Sequence, residues 1–534
     1  MLSEDKYFQT LTDEELWQRY CGFLDLSVGE FMDIQNELLV DEIDRVADST
    51  LGKKIMGNRK PASMEEFRRM VPLTTYEDYE PYLSQQQEDA LADRPLYWAH
   101  SSGRGGKFKW LPFTTQGTEK STQRILATMI LAGMRRRTDR PLEPGRRVIL
   151  NMAPRPYGSG CVFHNLSQRF SMRAMPPQEA EEQMQFEERI AEGFRMGLRY
   201  GIDGVCSIAS VLVKIGERMS EQSQAMKPSP AMLHPAVLLR VARAKARARR
   251  AHRPMLPKDL WNPRALIAVG ADAKIYKEQL EYYWGVTPYE TYGATEVMPI
   301  AVNSWNKKWL TLIPDMAFYE FIPLAERTKS EQDEGYQPRT VLTDELLPGQ
   351  TYEIVLTQLY GMPLLRYRVG DLITVADLKD EEAGIALPQI MFKSSTGGLI
   401  NLAGLTNLDE QTLWRAITST GIKCEEWAAR KDYDQSQTFL RVFMELREQR
   451  DPDEVARMID QELRAADVDY RDLGEQLGLQ PVRVTLLSPG SFQRYYQERQ
   501  KEGADLAHLK PPHMNASEPI VQRLMALSGE ETTG

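Results

Sequence analysis

With 534 residues, 42% of them apolar and 27% charged, the chain has an ordinary globular composition and the length of roughly three or four domain-sized units. Its net charge of −10 argues against a nucleic-acid surface and against an anionic membrane, leaving small molecules as the expected partners of a monomer. Cys21, Cys161, Cys206 and Cys424 lack pair spacing, so no disulfide frame or zinc site is indicated, while an acidic N-terminal stretch and the lack of a membrane-length apolar run predict a cytoplasmic protein.

Residues up to about 90 read as helical, with Thr12–Glu15, Ser27–Glu30 and Ser63–Glu66 as capping boxes and Leu39, Ile43 and Val46 as one apolar face. Leu96 to Ala99 suits a buried strand, and it feeds Ser101-Ser102-Gly103-Arg104-Gly105-Gly106-Lys107, followed by Lys109, Pro112 and Thr114. Glycines let backbone N–H groups close around oxygens, hydroxyls donate and lysines add charge, so this stretch suits phosphate; a plain surface turn has the same composition. It is not a Walker loop, because Phe108 stands where a magnesium-binding hydroxyl would follow the lysine.

Ser121–Met134 reads as a helix, Arg147–Met152 and Ala265–Gly270 as buried strands, and the alternation points to an α/β body. Residues 238–253 carry seven basic side chains and no acid, and read as a solvated helix. Tyr292-Gly293-Ala294-Thr295-Glu296 ends a predicted strand with a ring that can stack on a base, a hydroxyl for phosphate and a carboxylate for a hard cation; alone it is also an ordinary turn. Gly370-Asp371 follows another strand, where the Asp can take both hydroxyls of a ribose or simply cap its own turn.

Taken together, these three stretches resemble the nucleotide motifs of the adenylate-forming superfamily, which includes acyl-CoA synthetases, peptide-synthetase adenylation domains and luciferases. VPLTTYEDYEPYL at 71–83, FYEFIP at 318–323, YRVGD, GSF at 490–492 and HLKPPH at 508–513 resemble, more narrowly, the auxin-responsive Gretchen Hagen family of acyl acid–amido synthetases. The resemblance implies an ATP- and Mg2+-dependent ligase that makes an acyl-adenylate from a carboxylic acid and then an amide with an amine, usually an amino acid. A thioester-forming acyl-CoA ligase and a non-catalytic adenylate-binding homologue are the alternatives.

By the same resemblance, Ser101, Ser102, Gly103, Gly106, Lys107 and Lys109 cradle phosphates, Gly270 and Ala271 flank the adenine, and Tyr292, with Gly293 and Ala294, stacks on it. Thr295 touches the α-phosphate, Glu296 holds the metal, Asp371 holds the ribose, and Lys510 serves the adenylation step. Arg104 and Gly105 replace two hydroxyls, and Arg104 is a fork donor able to grip phosphate in their place. Ser395, Gly397 and Thr406 replace the superfamily's hinge-region Arg, Asp and Lys; His508 and His513 replace Gln and Arg. The implied fold is an α/β N-terminal lobe with mixed sheets and helices (1–392), binding ATP and acid, and a small, mobile α+β C-terminal lobe (393–534). The segment 394–398 is the expected hinge.

Overall fold

The computed structural model describes residues 2–529 apart from 58, 102–107, 140–142, 153, 182, 185, 223–233, 270–275, 334, 396–399, 403–405, 409, 435–436, 469, 473–480 and 502–512. The chain separates into two compact units, the larger built from Met1–Ser101 and Lys109–Ser394 and the smaller from Ser395 onward.

In the larger unit, Thr12 and Ser27 open helices with full capping boxes, each side chain accepting from the third residue's N–H while that residue's Glu reaches back. At Ser63 only half the device forms: Ser63 caps Glu66, but the Glu66 carboxylate turns to Ala62 N (2.8 Å) and Arg59 (2.6 Å). In helix Val28–Val46 the stripe Leu39, Ile43 and Val46 is buried as its spacing requires. Glu42 is buried on the same stripe, and its carboxylate accepts the Gly361 N–H at 2.9 and 3.0 Å.

Burial pushes the Glu42 carboxyl up to about 8, against the opposing pull of the Gly361 N–H. The folded chain therefore retains a proton here that the unfolded chain loses near the ordinary carboxyl value, and stability falls as pH rises between the two. Glu42→Gln keeps an acceptor for Gly361 and removes the titration. The variant is expected to be more stable than the parent at pH 8 by up to a few kcal/mol, the gap closing towards pH 5. Denaturant midpoints at both pH values check this; a gap that does not change with pH would refute it.

Strands β1 (Tyr97–Ser101) and β2 (Lys109–Phe113) form an antiparallel pair in which Ser101 faces Lys109. The main sheet follows: β3 (Arg146–Asn151), β4 (Met172–Met175), β5 (Gly204–Ile208), β6 (Ala265–Val269), β7 (Tyr289–Ala294), β8 (Val297–Asn303), β9 (Leu310–Leu312), β10 (Ala317–Pro323), β11 (Thr351–Gln358), β12 (Tyr367–Asp377) and β13 (Gln389–Ser395). Its eleven strands run in the order β10-β11-β12-β13-β9-β8-β7-β6-β5-β3-β4. Strands β3 to β6 are parallel, and the segments Val148–Leu150, Val205–Cys206 and Ala265–Val269 are apolar along their length because both faces are covered there. Ile149, Val205 and Leu266 enter one core cluster, and Val148, Cys206 and Ile267 the other. Strand β7 pairs parallel with β6 and antiparallel with β8, so the sheet changes character at the strand carrying Tyr292. The expected α/β class is what the larger unit adopts.

The smaller unit has a short hairpin, β14 (Ile400–Leu402) with β15 (Thr406–Leu408), and a sheet of β16 (Cys424–Asp434), β17 (Gln437–Leu446) and β18 (Val482–Leu487), with helices that include Glu410–Ser419 and Pro452–Ala466. Gly490-Ser491-Phe492 begins helix Ser491–Lys501; Glu445 accepts the N–H groups of Gly490 and Phe492, and Phe492 is buried against Leu487, Tyr495 and Leu524. The basic stretch forms helix Pro235–Arg250, held by Val237, Ala244 and Ala248, with Arg243, Lys245, Arg249 and Arg250 exposed. Among the described residues no helix is long and apolar enough to cross a membrane.

Candidate active site

The segment 71–83 is clamped across the start of β12. Thr74 N donates to Arg366 O and Arg368 N to Thr74 O (both 2.9 Å), Thr74 Oγ1 donates to Leu365 O (2.6 Å), and the Tyr79 hydroxyl accepts from Leu365 N (2.9 Å). Arg366 itself is buried at φ +46°, and its guanidinium forks onto Glu320 (2.9 and 2.8 Å) while donating to Arg68 O and Val71 O (2.6 and 2.5 Å). Arg368 pairs twice with the buried Glu353 (2.8 and 2.7 Å). Both motif arginines thus brace the scaffold.

Against this scaffold two polar groupings form. The Tyr367 hydroxyl bonds Glu296 Oε1 and Lys109 Nζ, each at 3.2 Å, and Lys109 also lies over the Tyr76 ring. The Glu296 carbonyl accepts from Gln358 Nε2 at 2.6 Å, which fixes its backbone. On the same two elements the Tyr292 hydroxyl donates to Asp371 Oδ2 at 2.9 Å, its ring tilted against Phe392 at 5.5 Å. Burial first, and then the neighbouring Asp371 or Glu296 charge, raises both tyrosines well above the ordinary phenol value, so both hydroxyls keep their protons.

Two register irregularities present these groups. On β11, Glu353 faces Leu372 but Val355 faces Arg368, so two steps of one strand meet four of the other, and Gly370 adopts φ +85° within the excess. Asp371 was expected just beyond a strand; it lies inside β12, pushed out by this bulge. Likewise Tyr292 faces Ala301 while Ala294 faces Val297, with Thr295 and Glu296 making the turn into β8. Thr295 packs on Gly158, where a Cβ would come within 2.7 Å of its methyl group, so only glycine at the start of helix Gly158–Arg169 admits this approach.

Of the sequence-predicted residues, the structure brings Lys109 and Glu296 together through Tyr367, and Tyr292 against Asp371. Ser101 lies across from Lys109, and Gly293, Ala294 and Thr295 are at or near the surface beside Glu296. Ser102, Gly103, Arg104, Gly106, Lys107, Gly270, Ala271 and Lys510 lie outside the described residues, as do 396–398 and His508. Tyr367, Tyr76 and Gly158 were missed; Tyr367 stands in YRVGD and Gly158 in PYGSG, but only strand pairing reveals their neighbours. Thr406, in the lysine position of the superfamily pattern, is fully buried and bonds Asp467 at 3.4 Å. His513, in the arginine position, sits between Glu426 (2.8 Å) and Glu410 (2.5 Å) and stacks on Trp427; the Glu426 bond raises its pKa.

Among the described residues no three His, Cys, Asp or Glu side chains converge as a metal cage. One hard carboxylate, Glu296, at 6% exposure and hydrogen-bonded by a neutral hydroxyl, is the donor set that suits a magnesium completed by phosphates and water.

Solved structures share this fold: an acyl acid amido synthetase, AtGH3.15 in complex with 2,4-DB (18% identity, TM-score 0.53, 97% of both chains), and a 2-hydroxyisobutyryl-CoA ligase with 2-HIB-AMP and CoA (13%, 0.56, 91% of this chain and 94% of that one). The chain therefore shares its fold with these two proteins. Models of the GH3 family N-terminal domain, central domain and C-terminal domain match residues 23–173, 310–393 and 410–519, together well over half the chain, and the chain belongs to the GH3 family. Among curated relatives, the indole-3-acetic acid-amido synthetase GH3.3 of Arabidopsis thaliana is 26% identical over 282 residues, covering 48% of this chain and 44% of that protein. A GH3 domain-containing protein of Mus musculus is 26% identical over 208 residues, 36% of each. The chain thus matches under half the length of the first of these relatives.

Proposed function

We propose that the chain is an ATP-dependent acyl acid–amido synthetase, activating a carboxylic acid as its acyl-adenylate and conjugating it to an amine, an amino acid in the first instance. The observation that carries this reading is the meeting of Lys109, Glu296 and Tyr367, three stretches far apart in the chain, at one hydroxyl. In the first step a carboxylate oxygen attacks the α-phosphorus of ATP and pyrophosphate leaves; in the second an amine nitrogen attacks the acyl carbon and AMP leaves. The protein's task is to orient two anions and offset charge developing on phosphorus.

In this reading Ser101, Ser102, Gly103, Gly106, Lys107 and Lys109 hold phosphates, with Arg104 replacing the missing hydroxyls. Tyr292, Gly293, Ala294, Gly270 and Ala271 take the adenine, Thr295 the α-phosphate and Asp371 the ribose. Magnesium, when bound, neutralises phosphate charge, with Glu296 as its carboxylate. Lys510 acts in adenylation, on a C-terminal lobe (393–534) that moves against the ATP- and acid-binding lobe (1–392). The enzyme works as a cytoplasmic monomer.

A pyrophosphate-exchange screen over a carboxylic-acid panel tests the reading, followed by AMP release with amino acids or with coenzyme A. Release that depends on coenzyme A would favour a thioester-forming ligase, and nucleotide binding without exchange a non-catalytic homologue. Asp371→Ala removes charged hydrogen bonds to the ribose, worth about 1.5–3 kcal/mol, so the ATP KM should rise about 10–100-fold. An unchanged KM would sink the ribose assignment.

A further inference from the structure

We propose that Tyr367 is a positioning residue that holds Glu296 and Lys109 apart, keeping the carboxylate available to the metal and the ammonium to phosphate; this rests on the adenylating reading above. A phenol oxygen has one proton and two lone pairs. Here it donates to Glu296 Oε1 and accepts from Lys109 Nζ, both at 3.2 Å, so one atom sets the spacing of two opposite charges. Without it, the lysine chain, four carbons long and rotatable, is free to close on the carboxylate as a direct ion pair. Such a pair would cancel the charge that each group brings to a magnesium–nucleotide complex.

The surroundings fit a fixed spacer. Tyr367 is 1% exposed, edge-on to Tyr79 at 6.5 Å, and its neighbours Arg366 and Arg368 are both bonded to the Thr74 backbone. The Tyr76 ring lies 5.3 Å from Lys109 Nζ and its hydroxyl donates to Trp110 O, so the lysine has an aromatic rest as well. With the Glu296 carbonyl on Gln358, the carboxylate's direction is what remains for Tyr367 to set.

The test measures metal–nucleotide coupling directly, by calorimetric affinity for the α,β-methylene analogue of ATP with and without Mg2+. The parent should bind the analogue more tightly with the metal. In Tyr367→Phe, the gain contributed by Mg2+ should shrink about tenfold, the usual cost of losing a group that orients a metal ligand, and metal-free affinity should fall as well, because the ammonium paired with Glu296 is no longer offered to phosphate. Adding Lys109→Met to Tyr367→Phe should restore much of the metal gain, because no ammonium is left to pair with Glu296; a purely structural tyrosine would give no such rescue. If Tyr367→Phe does not fold, Lys109→Met alone serves: it should weaken nucleotide binding yet keep the metal gain, and losing that gain overturns the arrangement. Unchanged coupling in Tyr367→Phe overturns the role of Tyr367 and leaves the ligase reading intact. A parent that binds the analogue without any help from Mg2+ overturns Glu296 as the metal carboxylate and this inference with it.

Discussion

Glu296→Ala is expected to lower pyrophosphate exchange by on the order of 10²–10³-fold, the range seen when one charge-stabilising group is removed from a reacting centre. The side chain is nearly buried in the β7–β8 turn, and its backbone is secured independently through Gln358, so truncation should leave the turn in place. What disappears is the carboxylate that accepts from the Tyr367 hydroxyl, and with it the hard oxygen for the metal. The assay is isotope exchange at saturating acid, with a thermal melt of the same preparation. Exchange near the parental rate in a folded variant would remove Glu296 from the metal site. Loss of exchange together with a collapsed melt would show that its burial serves folding instead.

The second large effect is on stability. Glu320→Ala should cost about 3–5 kcal/mol, the usual price of leaving a buried charge without its partner. Glu320 is 1% exposed and meets Arg366 twice, Arg68 at 3.3 Å and the Thr340 hydroxyl at 2.6 Å. Its loss strands the Arg366 guanidinium, only 7% exposed in its side chain, and removes the bond from Arg68 Nε to β10. Glu320→Gln, which keeps acceptors but not charge, should cost less. Denaturant midpoints of the three proteins decide the matter, and a shift under about 0.5 kcal/mol for the alanine variant would mean the arginines find other partners.

What the sequence revealed, and what it withheld, divides along physical lines. Runs such as Val148–Leu150 and Ala265–Val269 were legible because strands covered on both faces must be apolar along their length. Tyr292, Glu296 and Asp371 were legible only as a set, because each stretch alone reads equally as an ordinary turn and it is their order along the chain that marks them. The pairing of Arg366 with Glu320 was not, since opposite charges 46 residues apart leave no local mark. The bridging role of Tyr367 depends on which strand β12 lies against, and the bulge at Asp371 on how many residues its neighbour uses to span the same distance. Strand β16 was overlooked for a simpler reason: its sequence, CEEWAARKDYD, buries only Trp427, Ala428 and Ala429, and its charges disguise the alternation. Glu42 carried a signal that was there to be read, an acid at the i+3 position of an otherwise apolar stripe.

The bulge in β12 also bears on how this sheet can change over evolutionary time. A chain lacking Val369 and Gly370 would restore an unbroken ladder between β11 and β12, recover backbone bonds and remove a left-handed residue, and so would gain stability at a sheet's middle. It would also draw Asp371 back into the pleat and away from Tyr292. If Asp371 holds the ribose as proposed, selection for a sturdier protein and selection for a working one pull in opposite directions at this one place, and a relative with the regular ladder is where loss of activity would first be sought.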